Sequence, residues 1–198
     1  MKSTIRRALS IALWSIMLLG ATLTASAQSL TDQQLITLRT AINAETNPEF
    51  VDYRQQGAVG AMADWFNVAV TPTYYVKRTA LSRHEILTGT SDQGTTFAWA
   101  GAGYITRAQG ERDAFLQMFN STGTVNPSLP SIVAAFADIF SGAGGLPNRT
   151  HITNMSRRPA TRIEKLFATG AGTQIAPSTM AFEGALNPAD VIKAVNLP

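Results

Sequence analysis

The sequence contains no cysteine and only two histidines, His84 and His151, in 198 residues. The first absence excludes disulfides, thiolate zinc centres, iron–sulfur clusters and thiol nucleophiles, so the fold must be held by its core or by partners. The second leaves little material for a histidine-rich metal site, since no second histidine or paired acid lies at ligand spacing from either one. Charge is sparse as well: charged residues make up 15% of the chain, against about 25% in an average soluble protein.

Catalytic patterns are missing too. Ser82, Ser128 and Ser178 stand outside any G-x-S-x-G or S-x-x-K frame, which removes the sequence case for a serine hydrolase. The glycine-rich stretches 142–145 and 170–173 lack the Gly-Lys-Ser/Thr ending of a phosphate loop and do not join a parallel strand to a helix. They read as a loop and a helix end. His84, Glu85 and Asp92 are close in sequence, but Ser82 and Glu85 already fit a helix capping box. His151 reads as an ordinary hydrogen-bonded side chain. Glu111 and Asp113, a conceivable acid pair for a wall-degrading enzyme, would splay to different faces of a helix. No enzyme activity, cofactor or metal is expected.

At the amino end, Lys2, Arg6 and Arg7 precede an apolar run from residue 8 to about residue 23, and Ala25-Ser26-Ala27 follows. A basic start, an apolar middle and an A-x-A end are the parts of a cleavable secretory signal. The run of roughly 16 residues is shorter than the ~20 a spanning helix needs. With no cysteine after the site there is no lipid attachment point, so no stable membrane anchor would remain after cleavage. An uncleaved anchor and a start codon placed too far upstream are the alternatives. All three basic residues of this segment count toward the formal charge of +3; the remaining 13 basic side chains balance 13 acids. Residues 28–198 are therefore formally neutral, which argues against a nucleic-acid partner.

Apolar spacing in residues 28–198 predicts a single, mainly α domain of about five to seven helices with one or two short strands. Thr31 should cap a helix carrying Leu35, Leu38 and Ile42, ended by Asn47-Pro48. Residues 48–67 fit one further helix, and 98–120 fit one long helix weakened by Gly101, Gly103 and Gly110. Residues 130–140 should bury Ile132, Val133, Phe136, Ile139 and Phe140. Residues 149–168 read as helical, with Pro159 starting or kinking the stronger part. Residues 74–78 are β-prone, and 179–182 fit a brief strand. A last helix runs from Asn187-Pro188 to Val195, with Val191, Ile192 and Val195 as its apolar side. Residues 89–96, 121–130, 141–147 and 170–179 read as loops.

The one basic cluster is Arg157-Arg158, Arg162 and Lys165. On a continuous helix Arg158, Arg162 and Lys165 would share a face at i, i+4 and i+7. That face is either solvated or a contact surface for a partner, and the loop containing Gly170 and Gly172 adjoins it.

The same region carries a resemblance. The stretch RPATRIEKLFATGAGT at 158–173, followed by APSTMAFEGAL at 176–186, resembles the C-terminal signature of a group of small tailed-phage and prophage proteins. LTDQQL at 30–35 is similar to the opening of the same group. The likeness spans most of 29–186 and is strong at the C-terminal end. It implies a virion structural or assembly role at the head–tail connection. It implies protein partners, either phage head, neck or tail components or further copies of the chain. It supplies no catalytic residues. Arg158, Arg162, Lys165, Gly170 and Gly172 are the candidate partner contacts. The group's pattern has no export signal. Either the start lies upstream of a phage gene, with the product in virion and host cytoplasm, or a phage-derived domain has gained a signal. The second case allows a different function: an exported periplasmic binding or inhibitory protein.

Overall fold

Thr31 opens the first helix as its chemistry requires. The computed structural model describes residues 29–197, so the signal reading lies outside the described residues. The Thr31 hydroxyl accepts from the Gln34 amide at 3.3 Å, and the Gln34 side chain accepts from the Thr31 amide at 2.9 Å. Helix α1 (Asp32–Ala44) then buries Leu35, Leu38 and Ile42. Asn47 and Pro48 start α2 (Pro48–Gln55). The expected single helix over 48–67 is two helices, because Gly57 takes a left-handed φ of 64° and turns the chain into α3 (Val59–Asn67).

The chain then leaves this first group of helices through β1 (Tyr75–Lys77). It passes β2 (Leu81–Ser82) into α4 (Arg83–Thr88), whose capping box is made by Ser82 and Glu85. The long helix expected at 98–120 is absent. Gly101 adopts φ 54°, a short 3-10 turn follows at Gly101–Gly103, and the regular helix α5 covers only Gln109–Gln117. Asn148 replaces the missing helical hydrogen bonds. Fully buried, it accepts from the Ala98 amide at 2.6 Å and donates to the carbonyls of Ala98 at 3.1 Å and Gly103 at 2.9 Å.

Next come β3 (Thr124–Val125), α6 (Pro130–Ile139) and α7 (Gly142–Met155). Residues 141–147 are thus the first turns of α7, not a loop. Gly144 and Gly145 are there for close packing, since a Cβ would strike Ala102 and the Phe140 carbonyl respectively. The chain returns through β4 (Arg157–Pro159) to α8 (Arg162–Leu166), β5 (Ala168–Thr169), β6 (Thr179–Met180) and α9 (Pro188–Val195). Two apolar faces differ from expectation. Val133 in α6 is 50% exposed, and α9 buries Val191 and Ala194 while Ile192 and Val195 face outward.

The mainly α class is as the sequence indicates. Among the described residues there are nine α-helices, more and shorter than the spacing suggested, and three two-stranded antiparallel pairs. The core forms two clusters. The first draws on 30–66 and 163–194, including Leu38, Phe50, Phe66, Ile163, Phe182 and Val191. The second draws on 81–155, including Ile86, Phe97, Phe115, Phe136, Phe140 and Ile152. The second cluster is therefore inserted between the halves of the first, and the chain crosses between them twice, in β1 and in β4. These two crossings pair antiparallel, with Val76 opposite Arg158.

The 170–178 loop closes over β1. The Tyr75 amide donates to the Gly172 carbonyl at 2.8 Å, and the Lys77 amide donates to the Ser178 carbonyl at 2.8 Å. Gly172 has φ 65°, and a Cβ there would fall inside the Tyr74 ring. Gly172→Ala should therefore cost about 2 kcal/mol or more, from backbone strain and overpacking together. Gly60 in α3 has no atom within 4 Å of its would-be Cβ. Gly60→Ala should stabilise by about 0.5 kcal/mol through helix propensity. Urea midpoints of the two variants check both signs.

Candidate functional site

Arg158, Arg162 and Lys165 do not share one helical face. Pro159 lacks an N–H and pushes the preceding residue toward extended backbone, so Arg158 lies in β4. Helix α8 begins only after Thr161, whose hydroxyl accepts from the Glu164 amide at 3.3 Å.

Arg158 forms a two-pronged pair with Glu164, at 2.7 Å from Nη1 to Oε2 and 2.6 Å from Nη2 to Oε1. Its Nη2 also lies 3.2 Å from Glu183 Oε1. The Thr79 hydroxyl donates to the other Glu183 oxygen. Glu164, with its side chain only 3% exposed, further accepts from the Thr161 amide at 3.0 Å and the Gly184 amide at 3.4 Å. Arg158, Thr161, Glu164, Glu183 and Gly184 all lie within residues 158–186. They converge on one ionic network that ties β4, α8 and the 183–184 turn together.

The remaining candidate contacts are also engaged within the chain. The Arg162 guanidinium stacks 3.8 Å from the centroid of the Trp65 ring and donates to the Trp65 carbonyl at 2.7 Å. Lys165 Nζ sits 5.4 Å from the Tyr74 ring centroid. The Tyr74 hydroxyl lies 2.6 Å from Ser178 Oγ and donates to the Gly170 carbonyl at 3.3 Å. Tyr74 thus brings Lys165, Gly170, Gly172 and Ser178 together, while Arg158 and Arg162 are held elsewhere.

The other sequence candidates stay apart. Glu85 pairs with Arg78 at 2.5 Å, Asp92 lies 3.4 Å from Arg157, and His84 Nε2 is 3.5 Å from the Thr88 hydroxyl. Glu111 is paired with Arg107 at 2.9 Å, and Asp113 is exposed. Ser82 Oγ donates to Glu85 at 2.8 Å and Ser128 Oγ to Asn126 at 2.7 Å. His151 is fully buried inside α7, with Nε2 at 2.8 Å from the Ile86 carbonyl and Nδ1 at 3.2 Å from the Thr95 hydroxyl. A carbonyl can only accept, so Nε2 carries a proton and donates to it. Among the described residues no group of three or more His, Asp or Glu could hold a metal ion, and no helix is long and apolar enough to cross a membrane.

What sequence reasoning missed is a groove. Lys77 of β1, Val133, Phe136 and Ala137 of α6, Arg149, Ile152, Thr153 and neighbouring Ser156 of α7, and Pro127, Ile175 and Pro177 enclose about 250 Å³. Phe136 and Ile152 form a buried floor, while Val133 at 50% and Ile175 at 95% exposure stand at the rim. Ile175, a large aliphatic residue alone in a Gly/Thr-rich loop, was the one available sequence signal. A more open hollow of about 580 Å³ lies beside Arg83, His84, Trp99 and Asn120, with a mixed polar lining and no carboxylate among its lining residues.

No protein-family model, no curated protein and no solved structure matches the chain.

The ionic network makes stability depend on acid. Burial pushes the Glu164 carboxyl up, but the hydrogen bonds and charge of Arg158 and the Thr161 and Gly184 amides outweigh it and hold the group below its ordinary 4.5. A carboxyl depressed by folding contributes stability that is fully present above its unfolded value and lost as pH falls through the folded value. Wild type should therefore lose more stability than Glu164→Gln between about pH 5 and about pH 3. At neutral pH the same variant should be destabilised by about 1–2 kcal/mol, because the half-buried Arg158 guanidinium loses its charged partner on α8 and keeps only Glu183. Urea unfolding of both proteins at the two pH values checks this.

Proposed function

We propose that this chain is a non-enzymatic assembly protein of phage origin, a virion component near the head–tail connection that works through protein–protein contacts. The phage origin rests on the resemblance of residues 158–186; the observation that carries the contact role is the groove between β1, α6, α7 and the 172–178 loop, an apolar concavity with bulky aliphatic side chains exposed at its rim. Apolar anchors set in a polar surround are the usual anatomy of a protein contact. The engagement of Arg158, Arg162, Lys165, Gly170 and Gly172 inside the fold moves the proposed working surface from that face to the groove. The signature then reports a shared fold, and the groove does the binding.

The signal-like pattern of residues 1–27 favours a second reading, an exported periplasmic protein that binds or inhibits a partner through the same groove. Peptide mass spectrometry on induced particles and on periplasmic fractions separates the two. The assembly reading expects the chain in purified particles, beginning near residues 29–31 without processing. A chain starting at Gln28, confined to the periplasm and missing from particles, overturns it in favour of the second reading.

A further inference from the structure

The groove has a charge pattern that its apolar lining does not explain. Two cations reach it, Lys77 and Arg149, and no Asp or Glu lines it. Arg149 is held in place: its Nη1 donates to the Phe140 carbonyl at 3.0 Å, at the C-terminal end of α6. Among the described residues neither Lys77 nor Arg149 forms an ion pair, as is also true of Arg54, Arg83, Arg112, Arg162 and Lys165, whereas Arg78, Arg107, Arg157 and Arg158 each meet a carboxylate. Two partly buried cations facing one apolar concavity, with no carboxylate of the chain in its lining, are an unmet electrostatic demand.

Size narrows the occupant. About 250 Å³ is below the roughly 300–1,000 Å³ of pockets that engulf a small-molecule ligand. It suits one bulky side chain inserted as an anchor. The exposed Val133 and Ile175 would then be covered by the flanking residues of the same segment.

Building on the protein-contact reading above, we propose that the groove binds a partner protein segment that places an aliphatic anchor on Phe136 and Ile152 and sets carboxylates against Lys77 and Arg149. Backbone pairing plays no part in this recognition. The outward edge of β1 is already taken by the 172–178 loop, through the Tyr75 and Lys77 amides. Specificity comes from the anchor and from charge.

The test is an amide and methyl NMR titration of the protein with three probes. These are acetyl-Glu-Leu-Glu-amide, its neutral counterpart acetyl-Gln-Leu-Gln-amide, and sodium octanoate. The expected result is saturable shifts at Val133, Phe136, Ile152 and Ile175 with the acidic peptide, at an affinity about tenfold or more above the neutral one. Lys77→Gln and Arg149→Gln should each remove most of that advantage while keeping a dispersed, folded spectrum. Equal binding of the two peptides, or no groove shifts with any probe, overturns the proposal. Octanoate binding more tightly than the acidic peptide also overturns it and makes the groove a site for a free apolar carboxylate. Presence or absence of the chain in particles is a separate readout, so failure here and failure of the assembly reading are distinguishable.

Discussion

The Arg158–Glu164 pair sits where the two halves of the molecule are joined. The chain passes between its hydrophobic clusters twice, and both passages lie in the β1–β4 ribbon. A ribbon of three paired residues is marginal by itself. Arg158, projecting from the middle of that register, converts it into a fixed joint by gripping Glu164 of α8 and Glu183 beyond β6. Glu164 in turn caps its own helix through Thr161. The bidentate pair is a case in which the geometry and the extra amide donors offset the cost of taking a carboxylate out of water.

Everything at the candidate site depends on that joint. The groove's floor comes from the inserted cluster, through Phe136 and Ile152, and its outer wall from the 172–178 loop, which packs on β1. Shifting the ribbon would separate wall from floor.

Local chemistry was legible where it is self-contained. Thr31, Ser82 and Asn47-Pro48 mark helix starts because a cap acts within one turn of chain. The mainly α class followed from the spacing of Leu35, Leu38, Ile42 and their counterparts. Tertiary substitution of hydrogen bonds was not legible. Residues 98–120 carry apolar residues at helical spacing, yet Asn148, about fifty positions away, supplies partners that let the chain turn at Gly101. Likewise 142–145 looks like a loop by composition but is the first turn of α7, where Gly144 and Gly145 leave room for Ala102 and the Phe140 carbonyl. The basic cluster misled for a related reason. Spacing on a continuous helix placed Arg158 with Arg162, whereas Pro159 puts them in different elements and each meets its own partner. Beyond the isolated Ile175 the groove left no trace in the sequence, since Lys77, Arg149 and Ile175 lie far apart and carry no motif.

The most direct measurement compares two variants, Arg158→Met and Ile175→Asp, in thermal unfolding and in incorporation into induced particles. The account predicts that Arg158→Met lowers Tm by roughly 6–12 °C, from a loss of about 3 kcal/mol in a chain of this size. It predicts that Ile175→Asp leaves Tm within about 2 °C, as an exposed substitution should, and abolishes incorporation. An Arg158→Met protein of normal stability that fails to assemble, beside an Ile175→Asp protein that assembles normally, would contradict the account and return the contact surface to the Arg158 face.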